Sequence, residues 1–376
     1  MRPPVIAMFV NQGVTFEEDW ARAVGRHVDL VVIKSLRQGE EASSVEEAVG
    51  TYGLHVPRLR PKRFAARPNA ALWAARVATL LERIQERHGS VDLLHGHFYP
   101  MGGLLHRLRK IRGYRYVLTE HSTRLTGDSA KHKRLSTVGM RSATLGYPNA
   151  EIVFLPSNYL QMCVERLGLV GKYLVVGNPI DTRHFSIRQP PLKQNRVLWV
   201  GRLESDKDPI TALRGFEIAR RWVPDLRLDL VGSGPDRPLV ERWISDNEAE
   251  DVITVWGRQS RDVIADLLSN AAVFVCSSNV ETFGVAVAEA LASGVPVAAP
   301  DIQPMRELVG IASGRLYPAR DALAMADAVT GLIQSRDRFA PAMVARDVRT
   351  RFSFEAVGTK VAAAYEQVLL SSGSLV

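Results

Sequence analysis

The feature that most constrains the fold is an alternation of short apolar runs with longer amphipathic segments along nearly the whole chain. Short apolar runs bounded by turn residues predict buried strands, and the longer segments predict helices that cover them. This alternation is typical of parallel sheets with helices on their faces. The strand runs are PVIAMFV, VDLVVIKS, VDLLHGH, YRYVLTEH, AEIVFLPS and KYLVVGN, then NRVLWVGR, LRLDLVGSG, DVITVWGR, AAVFVCSS and GVPVAAP.

One interruption of this rhythm predicts the domain organisation. Residues 181–195 contain two adjacent prolines and few apolar residues, and 376 residues exceed the size of one typical core. We therefore expect a first domain at 1–180, a linker at 181–195 and a second domain at 196–352. The terminal segment, 353–376, is expected to form a helix. This helix packs either on the second domain or back on the first. The predicted fold class is α/β with two doubly wound, Rossmann-like domains.

Positive charge is concentrated in the first half of the chain. Residues 1–180 contain 25 Lys and Arg against 15 Asp and Glu, although the whole chain has a net charge of only +8. The excess lies mainly in three clusters, at Arg58–Arg67, Arg107–Arg115 and Lys131–Arg134. Such clusters form a solvated basic face or attract phosphates, an anionic membrane or nucleic acid. Nucleic acid is disfavoured because the clusters lack interleaved aromatic residues and no helix-turn-helix or zinc pattern accompanies them.

The sequence also bears on where the protein acts. No apolar run approaches the roughly 18 residues that a membrane span needs, and no signal cleavage site follows the first apolar run. Two cysteines, Cys163 and Cys276, fit small buried hydrophobes in a reducing compartment. We expect a cytoplasmic protein, peripheral on the inner membrane face if its basic half contacts lipid.

Unusual residues at strand ends point to function, because ligands of open α/β sheets bind beyond the carboxyl ends of the strands. The run VLWV is followed by GRLESDKDPITAL, which contains Gly201, Arg202 and Lys207. Asp208 and the following proline predict the start of a helix. Arg and Lys beside a helix N-terminus favour a diphosphate. The next strand end contains Gly232 and Gly234, which fit either a tight turn or a close backbone approach to a ligand.

Two carboxylates define a further strand end, in the segment ETFGVAVAEALASGVPVAAP. Glu281 precedes a helix of small residues, near the backbone amides of Phe283 and Gly284, and Glu289 lies inside that helix. A carboxylate is costly to bury without hydrogen-bond donors. Vicinal hydroxyls supply two donors at the spacing of two carboxylate oxygens, so a ribose or another sugar diol is the expected partner.

Histidines mark the strand ends of the first half. His95 and His97 end one strand run, and His121 follows the next. No third ligand at a suitable spacing completes a metal site, so no metal is expected. If His121 faces a cleft, we expect it to orient a hydroxyl or to accept its proton; the alternative is a packed polar residue. Gly13, after the first strand, suits a close backbone approach.

Taken together, these motifs resemble the family 4 retaining glycosyltransferases, whose GT-B fold has two Rossmann-like domains facing a central cleft. The likeness covers nearly the whole chain. The matching motifs, in the family's order, are HGH, TEHST, LPSNYL, VVGNPIDTRHF, VLWVGRLESDKDPITAL, LVGSGP, VWGR and ETFGVAVAEALASGVPVAA. The most specific element is the spacing of Glu281 and Glu289 combined with Arg202 and Lys207 upstream.

The resemblance implies a role for each matching residue on the donor side. Arg202 and Lys207 look like the pair that binds the donor diphosphate and stabilises the departing nucleotide without a metal. Glu289 looks like the ribose ligand. Glu281 looks like a contact to the donor sugar. The other contacts to the donor are expected at Gly13, Gly201, Gly232, Gly234, Phe283 and Gly284. The base of the nucleotide is expected beside Gly257 and Arg258.

On the acceptor side, the resemblance implies that His121 lies near the reacting sugar, with His97 beside it. The expected reaction transfers a sugar from a UDP- or GDP-linked donor to a sugar, lipid-linked or phosphorylated acceptor, with retention, in cell-envelope polysaccharide or glycolipid synthesis. No cofactor is expected. The alternatives are a nucleotide-sugar epimerase on the same fold and a non-catalytic module that binds an anionic ligand. Glycoside hydrolysis is less attractive, because both glutamates come from one motif rather than from opposite sides of the sugar.

Overall fold

The computed structural model describes residues 3–11, 14–36, 40–55, 62–127, 135–189 and 195–371, without the side chains of residues 62–70. The chain divides into two compact units. The first unit is formed by the described residues of Met1–Thr126, Arg134–Pro179 and Phe354–Val376. The second is formed by those of Gly127–Lys133 and Ile180–Ser353.

A seven-stranded parallel sheet forms the centre of the first unit, in the order β3-β2-β1-β4-β5-β6-β7. Its strands are β1 Val5–Asn11, β2 Asp29–Leu36, β3 Gly50–His55, β4 Leu93–His97, β5 Tyr116–Thr119, β6 Val153–Leu155 and β7 Tyr173–Val175. Its helices are α1 Thr15–Gly25, α2 Lys62–His88, α3 Tyr99–Arg112, α4 Thr137–Gly146, α5 Asn158–Arg166 and α13 Phe354–Leu370. The chain order reverses between β1 and β4, which makes this the switch point of the sheet.

Strand β1 shows why the first sheet is buried on both faces. Six of its seven residues are buried. Ile6, Met8 and Val10 belong to one apolar cluster, whereas Val5, Ala7 and Phe9 belong to another. Because successive side chains of a strand point to opposite faces, an apolar run without alternation requires cover on both sides. Helices supply that cover.

The C-terminal helix α13 supplies part of this cover. Val357, Val361, Tyr365 and Val368 recur at the spacing of one helical face, and all four are buried. They belong to the apolar cluster that contains Trp20 of α1. The helix predicted within 353–376 is thus present at Phe354–Leu370. It packs on the first unit although the second unit precedes it in sequence.

A six-stranded parallel sheet forms the centre of the second unit, in the order β10-β9-β8-β11-β12-β13. Its strands are β8 Arg196–Val200, β9 Arg227–Val231, β10 Ile253–Gly257, β11 Val273–Val275, β12 Val297–Pro300 and β13 Gly314–Tyr317. Its helices are α6 Pro209–Arg220, α7 Arg237–Asp246, α8 Arg261–Asn270, α9 Val285–Ala292, α10 Gln303–Leu308, α11 Ala322–Gln334 and α12 Pro341–Phe352. The switch point lies between β8 and β11. The predicted fold class, two Rossmann-like α/β domains, is confirmed.

Part of the segment expected to be a linker is bound to the second unit. Arg188 is buried, and its guanidinium donates to the carbonyl oxygens of Gly294, at 3.1 Å, and Ala271. Arg349 donates to the carbonyl oxygens of Thr182, Phe185 and Ala292 at 2.9–3.1 Å. Phe185 itself is buried in the apolar core. Residues 181–189 therefore belong to the second unit; residues 190–194 lie outside the described part.

The structure contains two strands that the apolar runs did not predict, β3 and β13. Both are the last strands at one side of their sheets. In β3 only Leu54 is buried, and β13 has buried residues only at its two ends. Edge strands have one free side, so they need no continuous apolar run. Among the described residues, no helix has the length and apolarity required to cross a bilayer.

Candidate functional site

The loops at the switch point of the second unit bring together the polar residues that the sequence placed at strand ends. One loop follows β8 and carries Lys207. The other follows β11 and carries Glu281. Strands β8 and β11 are hydrogen-bonded neighbours, and the chain continues from β8 to β9 on one side of this pair and from β11 to β12 on the other. At such a switch point the carboxyl ends of the two strands flank an open crevice.

Lys207 and Glu281 form an ion pair across this crevice. The ammonium of Lys207 donates to Oε1 of Glu281, which also accepts a 3.0 Å hydrogen bond from Oγ of Ser278. The side chains are 23% and 14% exposed, so both remain accessible to a ligand. Burial opposes the charge on Lys207, yet the neighbouring Glu281 carboxylate outweighs it and raises the pKa of the ammonium. Lys207 is therefore a fixed positive charge at neutral pH.

Ser277 supports the backbone of the loop that contains Lys207. The Ser277 hydroxyl lies 2.8 Å from the carbonyl oxygens of both Lys207 and Asp208, and it accepts from the indole of buried Trp199 at 2.9 Å. Asp208 has a φ of +47°, a conformation that costs energy for a residue with a side chain. Its carboxylate caps α6 by accepting from the amide of Thr211 at 3.2 Å. Strain at Asp208 is thus balanced by the cap and the serine.

Glycines let the loops after β8 and β9 approach each other closely. A Cβ atom on Gly232 would lie 1.7 Å from the carbonyl oxygen of Gly201, and one on Gly234 would lie 2.3 Å from that of Leu203. Gly232 also has a φ of +139°, and its amide donates to the carbonyl of Gly257 at 2.8 Å. Both glycines are required by the backbone itself, whether or not a ligand binds there.

The N-terminus of α9 opens at the same crevice. Gly284 precedes this helix with a φ of +98°, and no side chain caps the helix. This φ favours glycine, and a Cβ atom there would also displace the end of the flexible Met305 side chain, whose Cε would lie 2.5 Å away. The ring of Phe283 is buried and packs edge-on against Phe352, which leaves only its backbone for a ligand. Uncapped amides at a helix start attract an anion.

Glu289 lies one and a half turns into α9 and faces an arginine that the sequence did not single out. The Arg261 guanidinium lies 3.7 Å from the Glu289 carboxylate, and it also lies 5.1 Å from the centre of the Phe185 ring. Their side chains are 22% and 14% exposed, respectively. Nothing in the local sequence marks Arg261, because it begins α8, and only the fold brings that helix beside α9.

The other residues of the second unit that were predicted to bind the sugar donor are more exposed. Arg202 is 68% exposed and pairs with Glu204 at 3.1 Å rather than with the Lys207 pair. Arg258 is exposed at the end of β10. Beside it, the Trp256 indole donates to Asp229 at 2.9 Å. Gly257 has a φ of +68°. The nearest neighbour of a Cβ atom added there would be the end of the Arg237 side chain, at 3.6 Å.

Three histidines form a stack of imidazoles at the switch point of the first unit. The rings of His95 and His97 lie 5.0 Å apart at 11°, and those of His97 and His121 lie 5.4 Å apart at 12°. His95 hydrogen-bonds the hydroxyls of Tyr365, on α13, at 2.5 Å and of Thr119 at 2.6 Å. Burial lowers the pKa of His97 to about 3 and holds the pKa values of His95 and His121 well below their ordinary value. The stack is therefore uncharged at neutral pH.

A buried carboxyl group, Glu120, fixes the loop that carries His121. Its Oε1 accepts from the backbone amides of His121 and Ser122 at 2.8 and 2.7 Å. Its Oε2 accepts from the amide of Tyr99 at 2.7 Å and from the hydroxyl of Tyr147 at 2.5 Å. Burial raises the pKa of this carboxyl group, and the four donors oppose the rise. Glu120 is thus a structural support for His121 rather than a ligand for substrate.

A second buried carboxyl group, Glu17, lies at the start of α1. It accepts from the backbone amide of Asn11 at 2.6 Å and from the Asn11 side chain at 3.0 Å. Burial raises the pKa of Glu17 to about 7. Gly13, expected to approach a ligand in the same loop, lies outside the described residues. Within the described residues, no group of three or more His, Cys, Asp or Glu side chains is arranged to hold a metal ion.

Two family models match consecutive parts of the chain. Residues 18–184 match the model described as glycosyltransferase family 4, and residues 181–345 match the one described as glycosyl transferases group 1. Among curated proteins, TuaC, a glycosyltransferase of teichuronic acid biosynthesis in Bacillus subtilis (strain 168), is 27% identical over 73% of this chain and 70% of its own length. The alpha-D-kanosaminyltransferase of Streptomyces kanamyceticus is 27% identical, but the match covers 46% of this chain and 45% of that protein. The chain thus spans under half the length of that relative.

Solved structures show the same fold over nearly the whole chain. Sucrose-phosphate synthase from Thermosynechococcus elongatus has a TM-score of 0.78 at 18% identity, covering 98% of this chain and 100% of its own. Anabaena HepE, solved in complex with UDP and glucose, has a TM-score of 0.74 at 17% identity, covering 97% and 100%. At such identities the likeness shows the fold alone.

Proposed function

This chain belongs to the family 4 glycosyltransferases, and from that premise we propose that it transfers a sugar from a nucleoside diphosphate donor to an acceptor hydroxyl, with retention at the anomeric carbon. The observation that carries the proposal is the Lys207–Glu281 pair at the switch point, beside the uncapped start of α9. A partly exposed cation and free helix amides together suit a diphosphate.

The donor diphosphate would bind where Lys207 and the α9 amides converge, with Arg202 closing over it from its exposed position. Cleavage of the bond between sugar and phosphate leaves an added negative charge on the departing nucleotide. Preorganised cations stabilise such charge most where water is excluded. The two cationic side chains supply this charge, so the reaction as proposed needs no metal.

The two glutamates would bind hydroxyl groups rather than exchange protons. Glu281 loses part of its pairing with Lys207 when the ammonium turns to the phosphate, and hydroxyls of the donor sugar replace it. Glu289, held by Arg261, would accept from the ribose diol. Sugar transfer is favoured over hydrolysis by a flanking carboxylate pair, because both glutamates belong to the same loop and helix of one unit.

A thermal-shift panel with UDP, GDP, ADP and CMP tests the donor site directly. A ligand at 100 times its dissociation constant adds about 2.7 kcal/mol to the stability of the unit that binds it. We expect one diphosphate to raise the melting temperature of the wild type and to have no effect on Lys207→Ala or Glu289→Ala. Arg214→Ala, which removes an exposed charge from α6, is the matched control and should respond like the wild type. No response to any nucleotide would contradict the proposal.

We further propose that the acceptor is anionic or lies at an anionic membrane surface, because the first 180 residues carry the positive charge of the protein. The densest cluster, Arg58–Arg67, lies outside the residues whose side chains the structure describes. The proposal therefore rests on sequence and charge alone. It would place the enzyme in the synthesis of a cell-envelope polysaccharide or glycolipid.

Vesicle binding tests whether the basic first half of the chain contacts an anionic membrane. Neutralising Arg58, Arg60, Lys62 and Arg63 should weaken sedimentation with vesicles containing anionic lipid at low salt, while zwitterionic vesicles bind neither form. The matched control neutralises four exposed arginines of the second unit, Arg214, Arg221, Arg242 and Arg338. Equal loss in both variants, or none in either, contradicts the assignment of the surface to the first half.

A further inference from the structure

Two hydroxyl groups anchor one end of the histidine stack in the first unit. The His95 ring uses both of its nitrogens: Nδ1 lies 2.5 Å from the hydroxyl of Tyr365, and Nε2 lies 2.6 Å from that of Thr119. All three side chains are completely buried. A neutral imidazole has one N–H donor and one acceptor nitrogen, and each hydroxyl can take either role, so either tautomer satisfies both contacts. The His95 ring is therefore fixed at two points.

One of these anchors comes from the C-terminal helix. Tyr365 lies on α13, 270 residues after His95, and its ring packs edge-on against the imidazole at 5.9 Å. Thr119 is the last residue of β5, the strand that pairs with β4. Helix α13 thus does more than cover the sheet, because its tyrosine hydroxyl reaches a histidine of a switch-point strand.

The middle ring of the stack, His97, depends on its neighbours for its orientation. It lies nearly parallel to His95 and to His121, at 5.0 and 5.4 Å. Its Nδ1 lies 3.1 Å from Nε2 of His121, whereas its own Nε2 has no hydrogen-bond partner among the described residues. One hydrogen bond leaves a ring free to turn about that bond, so the flanking rings must hold its plane. Trp20 packs edge-on against all three imidazoles, at 5.9–6.1 Å, along one side of the stack.

We propose that Tyr365 and Thr119 are positioning residues for His121. They fix the plane of His95, the first ring of the stack, and close packing passes that plane to His121, two rings further along. Neither hydroxyl touches substrate in this scheme. The importance of His121 for sugar transfer rests on the proposed function, whereas the coupling along the stack does not.

Tyr365→Phe tests the first anchor. It keeps the buried ring and its packing against His95 and Phe154, and it loses only the hydroxyl. Tyr116→Phe is the matched control, because Tyr116 is also fully buried and its hydroxyl donates a 2.7 Å hydrogen bond to the carbonyl oxygen of Gly146 instead of to a histidine. We expect similar losses of stability in urea unfolding, so a change confined to Tyr365→Phe is not general destabilisation.

The carbon-bound ring protons of His121 report the coupling without any substrate. The chain has nine histidines, so His121→Gln and His97→Gln identify the two signals in proton–carbon NMR spectra of protein labelled with ¹³C-histidine. The shifts of these protons depend on the planes of neighbouring rings. We expect the His121 signals to move in Tyr365→Phe and to stay in place in Tyr116→Phe. Unmoved His121 signals in Tyr365→Phe overturn the proposal, even if those of His95 shift.

Sugar transfer gives a second readout. We expect kcat of Tyr365→Phe to fall about tenfold with KM for the donor unchanged, a smaller loss than the roughly 10²-fold that a misplacement of about 1 Å can cause. Thr119→Val removes the other hydroxyl at nearly constant shape and should lower kcat similarly, whereas Thr119→Ser should retain most of it. Equal losses in the two Thr119 variants, or a loss in Tyr116→Phe as large as in Tyr365→Phe, would reduce the anchors to packing residues.

A double variant shows whether Tyr365 acts through His121. Adding Tyr365→Phe to His121→Ala should lower kcat no further, because the ring that Tyr365 positions is already gone. A further tenfold loss would show another route and overturn the positioning role. A wild type that transfers no sugar from any donor would contradict the proposed function instead, and the NMR shifts of His121 would then decide the coupling by themselves.

Discussion

The two switch points of this protein use opposite kinds of side chain. In the second unit, Lys207, Glu281 and Arg202 are charged and remain 23%, 14% and 68% exposed. In the first unit, His97 and His121 are almost completely buried and uncharged. The backbone topology is alike, since the chain order of each sheet reverses between its first and fourth strands.

The difference shows how one topology supports two tasks. A partly exposed ion pair can exchange one partner for a charged ligand, because the ligand replaces the charge that the pair loses and solvent still reaches both groups. Buried neutral rings cannot make that exchange, but they hold a fixed geometry, because movement would break the ring stacking and the hydrogen bond between His97 and His121. The second unit is therefore suited to binding and releasing an anion, and the first to presenting a rigid surface.

The largest expected effect comes from the glycines that allow the charged crevice to form. Gly232→Ala should destabilise the second unit by about 4 kcal/mol or more, because the new Cβ would lie 1.7 Å from a backbone oxygen. Gly113→Ala, at the end of α3 in the first unit, has a φ of +76° and nothing within 4 Å, so we expect a cost of about 1 kcal/mol. Urea unfolding followed by tryptophan fluorescence measures both. Similar costs would show that backbone conformation alone, and not close approach, requires Gly232.

The next effect concerns charge in the second unit. Lys207→Ala should lower kcat by about 10²–10³-fold, the usual loss when one preorganised charge donor is removed from a transition state. Lys207→Arg keeps the charge but not the compact ammonium, so we expect partial activity. Steady-state kinetics with the donor identified by thermal shift would measure both, with Arg214→Ala as control. An alanine variant with unchanged kcat would mean that the ion pair is structural.

The buried carboxyl group of Glu17, in the first unit, is expected to affect stability rather than activity. The folded pKa of Glu17 is about 7 against an ordinary value of about 4.5, so the folded state holds more protons than the unfolded state between these values. The free energy of unfolding should therefore fall by about 3 kcal/mol as pH rises from 4.5 to 7 and above.

Glu17→Gln should remove this pH dependence. Urea unfolding of the wild type and the variant between pH 4.5 and 8 measures the difference, with Glu366→Gln on the exposed face of α13 as control. Parallel curves for the wild type and Glu17→Gln would show that Glu17 does not carry the pH dependence of the first unit.

The smallest expected effect is at Arg261. Arg261→Met keeps an unbranched side chain over the Phe185 ring but loses the charge 3.7 Å from Glu289. A partly exposed pair at this distance contributes about 0.5–1 kcal/mol, so we expect the nucleotide to bind about threefold more weakly. Isothermal titration with the diphosphate found in the thermal-shift panel measures this. Unchanged affinity would show that Glu289 needs no support.

Sequence by itself determined the parts of this protein that follow from local pattern. Alternating apolar runs fixed the two α/β domains, because a strand without polar alternation must be covered on both faces. Strand-end position marked Lys207, Glu281, His97 and His121, because polar residues after buried strands gather at one edge of a parallel sheet.

Only the tertiary structure decided which of these residues meet and in what state. Glu281 pairs with Lys207, Glu289 with Arg261, and His121 with His97, across separations that no local pattern encodes. Helix α13 returns to the first unit because its apolar stripe completes a cluster around Trp20. The sequence also could not show which of these groups are charged. Burial decides whether a histidine or carboxyl group ionises, and burial is a property of the packed fold.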